Sequence, residues 1–137
     1  MVAFILFIVS IPIINNIIAD TVESTLKDTP LPANTKLIDS VSKAGKLVGN
    51  GNGMQHFGAI LIKSSLSQKE LDDFYSNYRN NSWDYIVEKQ TTNEITMIHG
   101  NISFKKVDNI NTSSDYFIVY SWGGKHNGIL DMDLRGH

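Results

Sequence analysis

A run of 17 residues close to the start of the chain, residues 2–18, is mostly aliphatic or aromatic and contains no charged side chain. As a helix it would be about 25 Å long, slightly shorter than the ~30 Å hydrocarbon core of a bilayer. The following stretch is polar, and Asp20, Glu23 and Asp28 outnumber the single Lys27. The run therefore predicts a single-pass membrane helix, with the rest of the chain outside the membrane.

Two other interpretations of this run stay open. Ile17-Ile18-Ala19 is an acceptable cleavage context, so the run could be a leader that is removed near Ala19, releasing a secreted protein. It could also be a helix buried in a protein core. No Lys or Arg precedes the run, although both an anchor and a cleaved leader normally begin with positive charge.

The chain divides at a short proline-containing segment. Residues 1–28 are predicted to form the anchor helix and its stalk, because good helix formers continue until Pro30 and Pro32 stop them. Residues 29–35 form a linker, and residues 36–137 form one extracytoplasmic domain. With 12 basic and 14 acidic residues and no cysteine, the chain has neither the basic surface of a nucleic-acid-binding protein nor a disulfide framework.

The sequence predicts one helix after the linker, and the residues at its start form a capping signal. Ser67 is placed to cap it, Glu70 completes a capping box, and Leu66 can pack on Leu71. Apolar side chains then recur at helical spacing on one face. This aromatic stripe could stack on a ligand, but packing on a sheet is the usual role of such a stripe. Its members are Leu71, Phe74, Tyr75 and Tyr78.

The remaining segments have strand patterns. Those at 54–63 and 116–122 are apolar on both faces, which is typical of central strands. A bend is expected near Ala44-Gly45 in the first strand. The pattern predicts an α+β fold, an antiparallel sheet of five or six strands on one helix, in the order β-β-α-β-β-(β)-β. The predicted strands cover 36–48, 54–63, 83–88, 95–99, 102–106 and 116–122.

The glycine-rich segment between the first two strands lacks the spacing of a phosphate loop, and a strand rather than a helix follows it. Paired Asn-Gly dipeptides favour a hairpin turn. The same loop is the candidate partner-contacting site. It consists of Gly49, Asn50, Gly51, Asn52 and Gly53.

Catalytic, cofactor and metal-binding motifs are missing from the sequence. None of the four histidines has a partner at metal-ligand spacing, and there is no nucleophile elbow. We therefore predict a non-catalytic protein without a cofactor. The alternative is an exported hydrolase with an unrecognised site, for which His56, His99 and Asp39 are the candidates.

Three segments carry a resemblance to a known group of proteins: AGKLVGNGNGMQHFGAILIK (44–63), LDDFY (71–75) and WDYIVEK (83–89). They resemble uncharacterised membrane-anchored proteins of low-GC Gram-positive bacteria. The resemblance implies a location at the cell membrane and a small α+β domain, and it implies no activity, cofactor or site residue.

Together these patterns predict a membrane-anchored, extracytoplasmic interaction domain, with a stalked subunit of a cell-envelope assembly as a further alternative. Membrane lipid would be contacted through the N-terminal helix. Since the two central strands are apolar on both faces and one helix follows the linker, one sheet face should lack cover. That face would bind another protein, a second copy or the membrane surface, unless the linker or the C-terminal tail folds over it.

Overall fold

The computed structural model describes residues 2–45, 47, 55–79, 84–98, 102–111 and 114–122, with the side chains of the first helix described from Ile13 onward. Two helices and four strands make up this part of the chain. In chain order they are α1 (Val2–Asp28), β1 (Thr35–Gly45), β2 (Gln55–Ser64), α2 (Gln68–Ser76), β3 (Ile86–Lys89) and β4 (Tyr116–Ser121).

The four strands form one antiparallel sheet in the spatial order β1-β2-β4-β3. The predicted central strands are confirmed. Ile60 and Leu61 of β2 point to opposite faces and are both fully buried, and so are Ile118 and Val119 of β4. The α+β class is therefore correct, with an antiparallel sheet of four strands in the described residues.

An irregularity in β1 sets which of its side chains point to each face. The pairing of β1 with β2 shifts between Leu37 and Asp39, so Ile38 is the extra residue of a bulge. The bend predicted near Ala44-Gly45 coincides with the end of β1, where Gly45 has a φ of 155°, and the register shift at Ile38 is a second irregularity that was not predicted. Beyond the bulge, Asp39 shares a face with Leu61, and Ser40 shares the other face with Ile60.

Both helices cover the same face of the sheet. Helix α1 packs Ala19, Val22 and Leu26, each 1% exposed, towards β1 and β2. Helix α2 buries Leu71 and Tyr75 in the same layer. The continuous helix to Asp28 is confirmed, but residues 19–28, predicted as a stalk, lie on the sheet instead. Their apolar side chains recur every three or four residues, which gives α1 a face that fits the sheet.

The opposite face is covered by a segment without regular structure. Ile95, Ile98, Phe104 and Ile110 are buried against Phe57, Leu61 and Tyr120. Two strands were predicted at 95–99 and 102–106. Among the described residues this segment has one isolated bridge, Glu94 with Ser103. The segment contributes its side chains to the core instead of extending the sheet, which is why fewer strands form than predicted.

The start of α2 is as the sequence predicts. The Ser67 hydroxyl accepts a hydrogen bond from the Glu70 amide at 3.1 Å, and the Glu70 carboxylate accepts one from the Ser67 amide at 2.7 Å. These are the two bonds of a capping box.

Within the side chains that the structure describes, no helix is both long and apolar enough to cross a membrane. In α1 the described side chains are those of residues 13–28, where Asp20, Glu23, Lys27 and Asp28 interrupt the apolar sequence.

Candidate functional site

The contact between α1 and the sheet is unusually close at one position. A Cβ atom on Gly58 would lie 2.5 Å from the Glu23 backbone nitrogen and 2.8 Å from the Val22 carbonyl carbon. The missing side chain of Gly58 therefore lets the helix backbone lie directly on β2. Two serines of the neighbouring strand fix the helix from its side, because Ser42 donates to Asp20 and Ser40 to Glu23, both at 2.5 Å.

Helix α1 contacts the start of β2 through Asn15. The Asn15 side-chain oxygen Oδ1 lies 2.7 Å from His56 Nε2, and both side chains are buried. Asn15 is the first buried residue of α1 among those with described side chains, and its Nδ2 has no hydrogen-bond partner. This pair links α1 to the beginning of β2.

Three isoleucines of α1 close to Asn15 are exposed. Ile13 is 56% exposed, Ile14 37% and Ile17 57%. They directly continue the uncharged sequence of residues 2–12, which belongs to the same helix. Large apolar side chains grouped in this way on a surface usually mark an interaction site.

Two of the three residues proposed for a hydrolytic site, His56 and Asp39, are not brought together. His56 shares a face with α1, whereas Asp39 lies on the face covered by residues 95–110. The sheet therefore separates the two side chains. His99 and the loop of Gly49, Asn50, Gly51, Asn52 and Gly53 lie outside the described residues. No group of three potential metal ligands occurs among the residues that are described.

Asp39 has a structural environment that accounts for its burial. One carboxylate oxygen accepts hydrogen bonds from the Lys105 and Lys106 amides at 2.8 and 3.1 Å, and the other accepts one from the Ser40 amide at 2.8 Å. Burial raises the pKa of this carboxyl, but the three N–H donors together outweigh burial and lower the pKa below its ordinary value. Asp39 therefore fastens the covering segment to the edge strand.

The aromatic stripe of α2 packs on the sheet. Tyr75 is fully buried beside Tyr85, with the two rings stacked 6.0 Å apart. Burial, and then the nearby Tyr78 and Tyr85, raise the pKa of Tyr75 to about 12. A phenol that stays neutral in a closed layer has a packing role, which agrees with the usual role of such a stripe.

Two grooves lie beside β1 at different positions along it. One, of about 450 Å³, is next to the end at Thr35 and is lined by residues including Lys36, Lys63 and Asp115. The other, of about 370 Å³, lies beside Ser40 and Ser42 and is lined by Lys105 and Lys106 on its far wall. Both contain hydroxyl groups and charges within a lining whose exposed surface is mainly apolar, so both suit a ligand with polar and apolar parts.

Sequence reasoning missed the packing role of the second half of α1. A signal was present: Ala19, Val22 and Leu26 share one helical face, and charged residues occupy the others. Because the uncharged run before it is typical of a membrane helix, the residues after this run were predicted to be its stalk.

No family model, curated protein or solved structure matches this chain. The resemblance to membrane-anchored proteins of low-GC Gram-positive bacteria therefore stays a prediction.

Proposed function

We propose that this protein is a single-pass, membrane-anchored binding domain of the cell envelope, without catalytic activity, whose α+β part lies outside the membrane. The proposal is supported by the difference between the two halves of α1. One continuous helix has an uncharged apolar first half and a second half packed into the fold. A helix of this kind joins the anchor to the domain without an intervening linker.

The packing of α1 favours an anchor that is retained. Cleavage after Ala19 would remove Asn15, which bonds the buried His56, and would cut the helix within its packed part. A secreted form beginning at Asp20 would therefore lose contacts that the fold uses.

Binding is favoured over catalysis by the grooves beside β1. They present lysine ammonium groups, hydroxyls and a carboxylate, whereas His56 and Asp39 point to opposite faces of the sheet. The sequence predicts a partner on the sheet face opposite α2, but that face is buried under the chain's own residues 95–98 and 102–110. A ligand with polar and apolar parts, bound at the groove of Lys36, Lys63 and Asp115, replaces it as the proposed partner.

Membrane fractionation tests the anchor. The full chain should sediment with membranes, resist carbonate and high-salt extraction, and expose residues after 30 to external protease. Ile8→Asp should shift the protein to the soluble fraction, because an acidic residue at the centre of a membrane helix costs about 2.5–3.5 kcal/mol.

Thr21→Asp is the matched control, since Thr21 is exposed on the packed half of α1. It should leave the fractionation unchanged. Recovery of a mature protein that begins at Asp20 would overturn the proposal in favour of a secreted one.

A further inference from the structure

We infer that the groove next to Thr35 binds a small organic monocarboxylate. Its carboxylate lies between the ammonium groups of Lys36 and Lys63, and its apolar part lies along the groove. The inference rests on the proposed function and gives the ligand of that function a chemical class. At about 450 Å³ the groove has the size of a site for a small molecule.

The first argument is the pairing of two like charges. Lys36 and Lys63 lie directly opposite each other on the antiparallel strands β1 and β2, and both are exposed. Like charges in this arrangement repel each other and destabilise a sheet. Two ion pairs occur among the described residues, and neither includes these lysines. An anion between the two ammonium groups would turn this repulsion into attraction.

A neighbouring aromatic ring supports one of the two lysines. Lys63 Nζ lies 5.6 Å from the centre of the ring of Tyr116, its partner on β4. The face of an aromatic ring attracts an ammonium group. Tyr116 is partly buried against the apolar layer on this face of the sheet, so its ring gives the ammonium group a fixed support.

Two hydroxyl groups of the lining already use their protons within the protein. Thr35 donates a hydrogen bond to the Ala33 carbonyl oxygen at 3.0 Å. Because each hydroxyl has one proton, the bond of 2.7 Å between the Thr35 and Ser64 hydroxyls is donated by Ser64. An anion needs donors, and the charged donors among the lining residues are Lys36 and Lys63.

Asp115 limits the charge that the ligand can carry. It is exposed and lines the same groove, and its backbone carbonyl oxygen accepts a hydrogen bond of 3.0 Å from the Ser64 amide. Two ammonium groups and one carboxylate leave one positive charge in excess. One negative charge on the ligand balances this excess, and a second would be repelled by Asp115. A carboxylate therefore suits the groove better than a phosphate monoester, which carries up to two negative charges at neutral pH.

The exposed surface of the lining is otherwise mainly apolar. Lysine side chains contribute to such a surface, because their methylene groups lie below the charged end. An apolar group on the ligand would cover this surface and exclude water from the contact between carboxylate and ammonium groups. The attraction between these charges is stronger where water is excluded.

Phenylacetate is the probe for this groove, because it joins one carboxylate to an apolar ring. The full chain is reconstituted into nanodiscs of phosphatidylcholine, and its amide resonances are followed as phenylacetate is added, with empty nanodiscs as the blank. The resonances of Lys36 and Lys63 should shift and saturate. The neutral 2-phenylacetamide should bind about tenfold more weakly, since it lacks the charge-assisted hydrogen bonds. Phenyl phosphate should also bind more weakly than phenylacetate.

Variants of the charged residues test which side chains hold the probe. Lys36→Gln and Lys63→Gln should each weaken phenylacetate binding about tenfold, because each removes a hydrogen bond to a charged group. Lys43→Gln is the matched control, since Lys43 is exposed on the same strand and does not line the groove. Asp115→Asn should strengthen the binding of phenyl phosphate relative to that of phenylacetate. All four positions are exposed, so each variant should keep the amide spectrum of the wild-type fold.

Several results would contradict the inference while leaving the anchor in place, provided that the chain floats with phosphatidylcholine vesicles. They are equal binding of 2-phenylacetamide, phenyl phosphate that binds as tightly as phenylacetate, and an affinity that neither Lys36→Gln nor Lys63→Gln lowers more than Lys43→Gln does. Protein that fails to float overturns the anchor of the proposed function. Saturable binding of phenylacetate by that protein, weakened in the two groove variants, would still support the ligand.

Discussion

Asp39 shows how one buried carboxylate can hold a segment without regular structure on a sheet. Its oxygens accept hydrogen bonds from the amides of Lys105 and Lys106, far along the chain, and from its neighbour Ser40. These bonds stabilise the ionised form, so the pKa lies below its ordinary value although burial opposes this. The carboxylate thereby holds residues 102–106 on the sheet through hydrogen bonds to their backbone, as the pairing of two strands would do.

Asp39→Asn should destabilise the fold at neutral pH by about 1–3 kcal/mol, because hydrogen bonds to charged groups are stronger than those to neutral ones. The folded-state pKa is lowered, so the stabilisation is fully present above the unfolded-state pKa. It is lost as pH falls through the folded-state pKa. Urea unfolding at several pH values should show the two proteins converging in acid.

The exposed Asp108 provides the control for this series. Asp108→Asn should leave the urea midpoint at neutral pH nearly unchanged. A constant difference between wild type and Asp39→Asn down to the most acidic pH would mean that the charge of Asp39 contributes nothing.

At the scale of elements, the contact between α1 and β2 depends on the absence of a side chain. Gly58 lies at the centre of the sheet, where Ser121 of β4 and Ser42 of β1 flank it. The helix backbone at Val22 and Glu23 occupies the space that a Cβ would need. Helix α1 thus packs by close backbone approach, whereas α2 packs through the aromatic stripe of Tyr75 and its neighbours.

Gly58→Ala should force α1 away from the sheet and cost about 1–3 kcal/mol or more, as overpacking of a filled site does. Hydrogen exchange provides a measurement that separates the two helices. Amides of residues 19–28 should exchange faster in the variant, and those of α2 should change little. Equal acceleration in both helices would show that α1 is not the element displaced.

At the scale of the whole molecule, both faces of the sheet are covered by the chain itself. Helices α1 and α2 cover one face, and residues 95–110 cover the other. The second half of α1 therefore belongs to the folded unit, because its Leu26 packs in the core. The linker begins at Thr29, whose amide donates a hydrogen bond to the helix at the Thr25 carbonyl oxygen.

A chain that begins at Thr29 should be much less stable than one that begins at Ile13. It lacks Val22 and Leu26, whose burial contributes about 1.5–3 kcal/mol each, against a total of about 5–15 kcal/mol for a typical domain. Urea unfolding and binding of a dye to exposed apolar surface provide the measurements. Two forms with the same midpoint and no dye binding would show that α1 is dispensable.

The sequence alone predicted the elements whose cause is local. The cap of α2 needs only Ser67 and Glu70, three residues apart, and the structure has both of its hydrogen bonds. The central position of β2 and β4 follows from strands that are apolar on both faces. These features depend on neighbouring residues or on a single strand, so they can be recognised without knowledge of what packs against them.

Only the tertiary structure decided how the elements cover one another. The two apolar faces of the sheet can be covered by any segment with enough apolar side chains, and residues 15–28 and 95–110 do so. The separation of His56 from Asp39 likewise follows from strand pairing, since alternate residues of a strand point to opposite faces and the bulge at Ile38 sets the phase of β1. Such outcomes depend on contacts between residues far apart in the chain, which local patterns do not encode.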